Sequence, residues 1–327
     1  MTEKSKYVSG YASGFWPRVG AWFIDMLLLG AVGWGIGWAA MDYVSALGSN
    51  GRFIGLAICI LYYGILGSNL GGGRTLGKRI LGLKVVGLNG KPLNLFVALW
   101  RALILSGPLM LNGWYFNIAD PTLLQVLGIA DLTVVFGIGL AQIYLLLFAW
   151  PERRLVHDLL SGSIVVRADT QEFTPQTKRV HAIVAVLIVL AALVLAVTGP
   201  DLLNKAMPGL KADLKPLPHV INAVNTLPEV AETSVQDSTN TYYSNGQKTT
   251  TRILIVTATT GAWPADTDPL LARIGARVVK AYTFAPNQKL LVRIVHGFDL
   301  GIANYTNFRA VNYKTDCTSA DVKCLDK

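Results

Sequence analysis

The chain has 327 residues, 52% of them hydrophobic and 15% charged, with a net charge of +9 and a mean hydropathy of +0.43. A soluble globular protein carries about 25% charged residues, and here the apolar residues collect in runs close to the roughly 20 needed to cross a bilayer. The balance therefore points to an integral membrane protein, and the placement of the basic residues points away from a nucleic-acid partner.

Five apolar spans are predicted, at 19–40, 53–68, 96–112, 132–150 and 180–197. Trp16, Trp22, Trp38, Trp100, Trp114 and Trp150 stand near their ends, as an aromatic belt requires. Thirteen Lys and Arg precede span one or lie between spans two and three and between spans four and five. The short loop after span one has only Arg52, and the loop after span three has none. This asymmetry predicts a cytoplasmic N-terminus and an outer C-terminus. The basic loops also predict contact with anionic lipid in the bilayer.

The first span contains Asp25, and an ionisable group at membrane depth is a functional candidate by default. Arg18, seven residues earlier, shares its helix face. Arg101 lies in the third span, and Asp158 follows the fourth in R-R-L-V-H-D-L-L-S-G. These four residues form a candidate membrane charge cluster, read either as an ion or proton site or as structural ion pairs. His157 is expected to be a surface neighbour of Asp158, and Asp131 to sit at the entrance of span four. Gly30, Gly33 and Gly37 predict close helix packing.

The loop at 69–95 holds G-G-G-R-T-L-G-K-R-I-L-G-L-K-V-V-G-L-N-G-K-P. Its R-T-L-G-K-R-I-L-G-L segment, with Thr75, Gly77, Lys78 and Gly82, is expected to form a short amphipathic helix in the headgroup region. Residues 83–86 and 164–167 are expected to pair as a small sheet. A phosphate-loop reading fails because Arg79 stands where G-x-x-x-x-G-K-S/T needs Ser or Thr, and no βαβ pattern surrounds it.

After Pro200 the composition turns polar, with eleven Asp and Glu against fourteen Lys and Arg. A helix is predicted in L-P-H-V-I-N-A-V-N-T-L, then a hairpin turning at Asn245-Gly246. A second helix follows, capped by Asp268 with Pro269 at its first position, and two strands close the domain. The expected sheet is antiparallel with helices on one face. Cys317 and Cys324 are a disulfide candidate in an oxidising compartment, whereas Cys59 is a packing residue. No catalytic constellation, metal-ligand spacing or cofactor motif stands out.

Arg18, Asp25 and Asp158 with their surroundings resemble the RDD family of membrane proteins. The resemblance rests on F-W-P-R-V-G-A-W-F-I-D, R-T-L-G-K-R-I-L-G-L-K-V-V-G-L-N-G-K-P and H-D-L-L-S-G-S-I-V-V, in that order, with Arg101 in W-R-A-L-I-L. It covers about residues 15–166 and leaves out span five and the C-terminal domain. It implies an ion or small-solute transporter, including sodium–proton exchange, or an accessory subunit of a membrane complex. The expected architecture is an α-helical integral membrane bundle, four core spans plus a fifth, with a C-terminal extracytoplasmic α+β domain. Its divisions are 1–168, 169–199 and 200–327. The expected location is a bacterial inner membrane, with the C-terminal domain periplasmic or extracellular. The thin bundle implies a homo-oligomer or a place in a complex.

Overall fold

A computed structural model describes residues 12–114, 121–171, 173–175, 178–206, 217–244, 247–285 and 288–313. Cys317, Cys324 and the Asn245-Gly246 turn lie outside the described residues. The described helices and strands run α1 (Phe15–Ala39), α2 (Met41–Ala46), α3 (Arg52–Gly67), α4 (Leu76–Ile80), β1 (Leu83–Gly87), α5 (Leu95–Leu111), α6 (Pro121–Leu132), α7 (Gly139–Phe148), α8 (Val156–Leu160), β2 (Ser163–Arg167) and α9 (Arg179–Ala206). They continue with α10 (Leu217–Asn225), β3 (Val230–Ser244), β4 (Gln247–Thr260), α11 (Thr267–Ala281), β5 (Lys289–Asp299) and β6 (Asn304–Tyr313).

Among the described residues, four stretches are long and apolar enough to cross a membrane: Phe15–Ala39, Gly48–Gly67, Gln125–Phe148 and Arg179–Gly199. The helix α5 is apolar but only 17 residues long and contains Pro108, whose missing N–H interrupts its hydrogen-bond ladder. Asn94 caps its start by accepting from the Val97 N–H at 2.9 Å. The fourth expected span begins earlier than its hydropathy predicts. A π-helical turn at Thr133–Ile138 joins α6 to α7, so Asp131 lies within the apolar helix rather than at its entrance.

Contacts divide the chain into two units. The first holds the described residues through Trp34, Arg52–Gly199 and Leu300–Ala303. Its loops build a two-stranded antiparallel sheet in which Leu83 pairs with Arg167 and Gly87 with Ser163, as the apolar strand cues predict. The same local unit occurs twice: a five-residue helix, one linking residue, a left-handed glycine and a five-residue strand. Leu76 and Val156, Gly82 and Gly162, and Leu83 and Ser163 each stand 80 residues apart. Gly82 (φ 64°) and Gly162 (φ 59°) turn each helix into its strand, a backbone conformation that glycine adopts without steric penalty. Each copy follows a pair of apolar helices, α1 and α3 in one case, α5 and the α6–α7 rod in the other.

The second unit comprises residues 35–51, Pro200–Asp299 and the described part of Asn304–Lys327. Its sheet has the order β3-β4-β5-β6. The expectation of a wholly antiparallel sheet is corrected, because β4 and β5 run parallel. Parallel neighbours need a crossover connection, and the helix α11 supplies it. Its cap is Asp266, whose carboxylate accepts from the Asp268 N–H at 3.0 Å, not Asp268 itself. Leu270, Leu271, Ile274 and Val278 of α11 and Val220 and Val224 of α10 are buried against Leu254, Val256, Leu290, Val292 and Ile294 of the sheet. At about 1.5–3 kcal/mol for each fully buried aliphatic side chain, this cluster dominates the unit's stability.

Residues just after the first span complete this second unit. Ser45 Oγ donates to the Thr260 carbonyl at 2.6 Å and accepts from the Gly297 N–H at 3.2 Å. Glu232 accepts from both the N–H and the hydroxyl of Ser49. Of the glycines expected to pack on a helix, Gly30 and Gly33 meet Ile302 within the first unit and Gly37 meets Phe298 within the second. A Cβ on Gly37 would lie 2.4 Å from the Phe298 ring, and in the first unit one on Gly33 would lie 2.9 Å from Ile302 and Ala303.

Candidate functional site

The charge cluster assembles at the loop-facing end of the first unit, but not with the pairing the helix face predicts. Asp25 is 1% exposed and takes no arginine among the contacts described. Its Oδ1 accepts from Tyr62 Oη at 2.7 Å and from the Gly77 N–H at 2.8 Å, and its Oδ2 accepts from Thr75 Oγ1 at 2.6 Å. Thr75 is the N-cap of α4, so the re-entering loop presents the start of a helix to the carboxylate. The expected short helix forms as a single turn, packed directly on α1. Gly77 permits this approach: a Cβ there would lie 2.1 Å from the Ala21 carbonyl oxygen.

Arg18 and Arg101 both turn to Asp158, which is fully buried. Arg101 donates to Asp158 Oδ1 from Nη2 at 2.7 Å and from Nε at 3.0 Å. Arg18 Nη1 lies 3.6 Å from Asp158 Oδ2. Arg18 also donates to the carbonyls of Arg153, Glu152 and Val165 at 2.6, 2.7 and 3.1 Å. Ser163 Oγ adds a donor to Asp158 at 3.1 Å. The helices α1 and α5 are therefore tied to the 152–167 segment through one carboxylate. Burial alone would raise the Asp158 pKa, but Arg101, then His157 and Arg18, outweigh it and hold the group below the usual carboxylate range.

His157 is buried, not a surface neighbour, and its Nδ1 lies 2.6 Å from Gln142 Oε1. Burial drives its pKa down to about 3, against the opposing pull of Asp158 and with further lowering by Arg101, Lys78 and Arg18. The unfolded imidazole takes its proton near pH 6.5 and the folded one does not, so stability falls as pH drops below that value. Asp158, also depressed, adds loss of the same sign only once its unfolded carboxyl titrates, below about pH 4. Stability in detergent, followed as the melting temperature, is expected to decline below pH 6.5, by up to about 1.4 kcal/mol per pH unit. His157→Asn should flatten that decline between pH 6.5 and 5; an unchanged slope would assign the acid sensitivity to other groups.

Separate partners for Arg18 and Asp25 also replace the expected coupling. Asp25→Asn and Arg18→Gln should each lower the melting temperature, and their losses should add within about 0.5 kcal/mol. A double-mutant cycle with a larger interaction energy would show that they sense each other directly.

A cavity of about 430 Å³ adjoins the cluster. Arg18, Asp25, Lys78, Arg101, His157 and Asp158 line it together with Tyr63 and Gln142, and its remaining wall is apolar. Lys78 Nζ makes one long hydrogen bond, 3.4 Å to Thr75 Oγ1, and lies 5.6 Å from the centroid of the Tyr63 ring. Burial, then the charge of Arg101, lowers its pKa to about 8. No group of three His, Cys, Asp or Glu able to hold a metal occurs among the described residues.

Sequence reasoning named the four charged residues and missed Tyr62, Ser163, Gln142 and the cavity. Y-Y in the second span carried no signal for Tyr62, because tyrosine at a span end also reads as an interfacial anchor. Apolar helices of crossing length around a buried charge cluster define a polytopic helical membrane protein. Residues 12–162 match the model of the RDD family, so this part of the chain is similar to the RDD membrane proteins. Searches of curated proteins and of solved structures gave no match.

Proposed function

We propose that the chain is a non-catalytic subunit of a membrane protein complex, in which the RDD-like domain anchors a C-terminal sheet domain that binds a partner protein. One observation carries this reading: both oxygens of Asp25 and of Asp158 are already engaged by groups of the same chain. A cation exchanger needs a carboxylate that trades a proton for an ion, and here each is committed to holding a loop against the helices. Transport is the second reading, favoured by the cavity beside the cluster. The cavity lining counts Arg18, Lys78 and Arg101 against Asp25 and Asp158, a sign that favours an anion over sodium.

The reading includes five crossings, a cytoplasmic N-terminus and an outer sheet domain in a bacterial inner membrane. Parity supports it. The strands β1 and β2 pair, so their loops share one side, and between them lie α5 and the Gln125–Phe148 span. An even number of crossings requires α5 to cross. At 1.5 Å per residue its 17 residues reach about 25 Å, which suits a slightly thinned or locally adapted bilayer. Residues 35–51 and 200–299 share a unit, and the helices between them give the same parity.

Reconstituted vesicles with a pH-sensitive dye and sodium or potassium pulses test the reading. The subunit reading expects no cation-dependent proton movement, and a stoichiometric partner that is lost when residues 205–327 are deleted. Flux that survives in the wild type and vanishes in Asp25→Asn, with the variant still folded, would establish transport instead. Alkaline phosphatase fused after Lys327 should be active and a fusion at Arg167 inactive; the reverse pattern overturns the orientation.

A further inference from the structure

The cavity holds polar groups that the described charge cluster does not use. Arg18 Nε and Tyr63 Oη are buried with no hydrogen-bond partner, and both side chains line the cavity. A buried donor left unpaired costs about 1–3 kcal/mol and calls for an explanation. Lys78 adds an ammonium with three donors and one long bond. All three side chains line the same space, and all three can donate. The cations around it outnumber the carboxylates, and both carboxylates are engaged elsewhere. The missing chemistry is therefore an anionic oxygen acceptor.

The rest of the cavity is apolar. Leu105, Pro108 and Leu109 of α5 and Gly139, Ile143 and Leu146 of α7 line it. From Arg101 to Leu109 the helix rises about 12 Å, so one polar end leads into a hydrocarbon-like passage of that order. Gly139 lines this passage, and a Cβ there would meet nothing within 4 Å. A cavity of this size falls within the range of roughly 300–1,000 Å³ typical of ligand clefts.

We propose that this cavity is a binding site for an anionic membrane lipid, with the headgroup phosphate held by Lys78, Arg18 and Tyr63 and one acyl chain lying between α5 and α7 past Gly139. A phosphate oxygen accepts from the ammonium, from the guanidinium Nε and from the phenol, which are the donors left open. The chain replaces water along a mostly apolar wall whose one amide, Gln142, is engaged by His157. The proposal depends on neither reading of the previous subsection, since a lipid can equally brace a subunit or be a transported species.

The full chain, purified in the uncharged detergent dodecyl maltoside, is melted with increasing phosphatidylglycerol, with phosphatidylcholine of the same acyl chains, and with inorganic phosphate. Phosphatidylglycerol is expected to raise the Tm by about 5 °C at saturation, with the other two near zero. Lys78→Gln should weaken the phosphatidylglycerol response about tenfold. Gly139→Leu, which fills open space, should abolish it while leaving the lipid-free Tm near wild type. Lys91→Gln, at an exposed loop position, is the control and should respond as wild type. Equal responses to both lipids would reduce the site to an apolar slot and overturn the proposal. A full response to inorganic phosphate alone would reassign it to a soluble anion. No response, or one that survives both Lys78→Gln and Gly139→Leu, would place lipid elsewhere and refute it.

Discussion

Asp158→Ala is expected to unfold the membrane domain at temperatures where the wild type is intact. The substitution leaves the Arg101 and Arg18 guanidiniums close together in a buried site with their shared carboxylate gone. Breaking a buried ion pair from one side costs about 3–5 kcal/mol, against a total stability of about 5–15 kcal/mol. The Tm in detergent should fall by about 10 °C or more. Arg101→Lys should lose much of the same amount, because a lysine offers no paired donors to match the Nε and Nη2 contacts. Arg101→Met combined with Asp158→Leu should cost less than Asp158→Ala alone, since it removes the charge along with its partner. If the double variant is the less stable of the two, the pair contributes net stability beyond mutual neutralisation, and this account of the cluster is wrong.

Gly77→Ala should act as strongly through sterics alone. The new methyl would sit 2.1 Å from the Ala21 carbonyl oxygen and 3.0 Å from Asp25 Oδ1. Neither neighbour can yield cheaply, one being backbone and the other a carboxylate fixed by three donors. The turn α4 must lift, and lifting it strips Asp25 of the Thr75 and Gly77 donors. An unpaired buried carboxylate then adds several kcal/mol to the steric term. Limited trypsin digestion should cut at Arg74, Lys78 or Arg79 in the variant and spare them in the wild type. Gly107→Ala is the control: its Cβ meets nothing within 4 Å, and a helical glycine replaced by alanine gains about 0.5–1 kcal/mol. Equal stability of Gly77→Ala and Gly107→Ala would show that the loop approaches α1 more loosely than its geometry implies.

The 80-residue repeat places Lys78 and Asp158 at equivalent positions of the two loop helices. The second copy delivers the carboxylate that neutralises Arg18 and Arg101. The first delivers an ammonium that faces the cavity without a close acidic partner. One loop thus closes the ionic cluster, and the other leaves a positive charge available to a ligand.

The sequence by itself determined the class of protein, most of its elements and the identity of the charged residues. Apolar runs of span length report the solvent directly, because the cost of placing polar groups in hydrocarbon depends on local composition. The short strands Leu83–Gly87 and Ser163–Arg167 were legible as apolar segments, and they pair as expected. What only the tertiary structure decided is which residue meets which. Helix periodicity places Arg18 and Asp25 on one face but is silent on what packs against that face. Their partners come from 50 residues away in Thr75 and from 134 residues away in Glu152. The same limit hid the burial of His157, since adjacent helix residues point apart whether or not a neighbouring helix covers both. It also hid the crossover that makes β4 and β5 parallel, and the docking of Ser45 and Ser49 into the sheet unit. Local pattern fixes each segment's own preferences. Contacts between segments distant in the chain depend on how those segments pack, and that packing selected the partners of the charged residues and enclosed the cavity beside them.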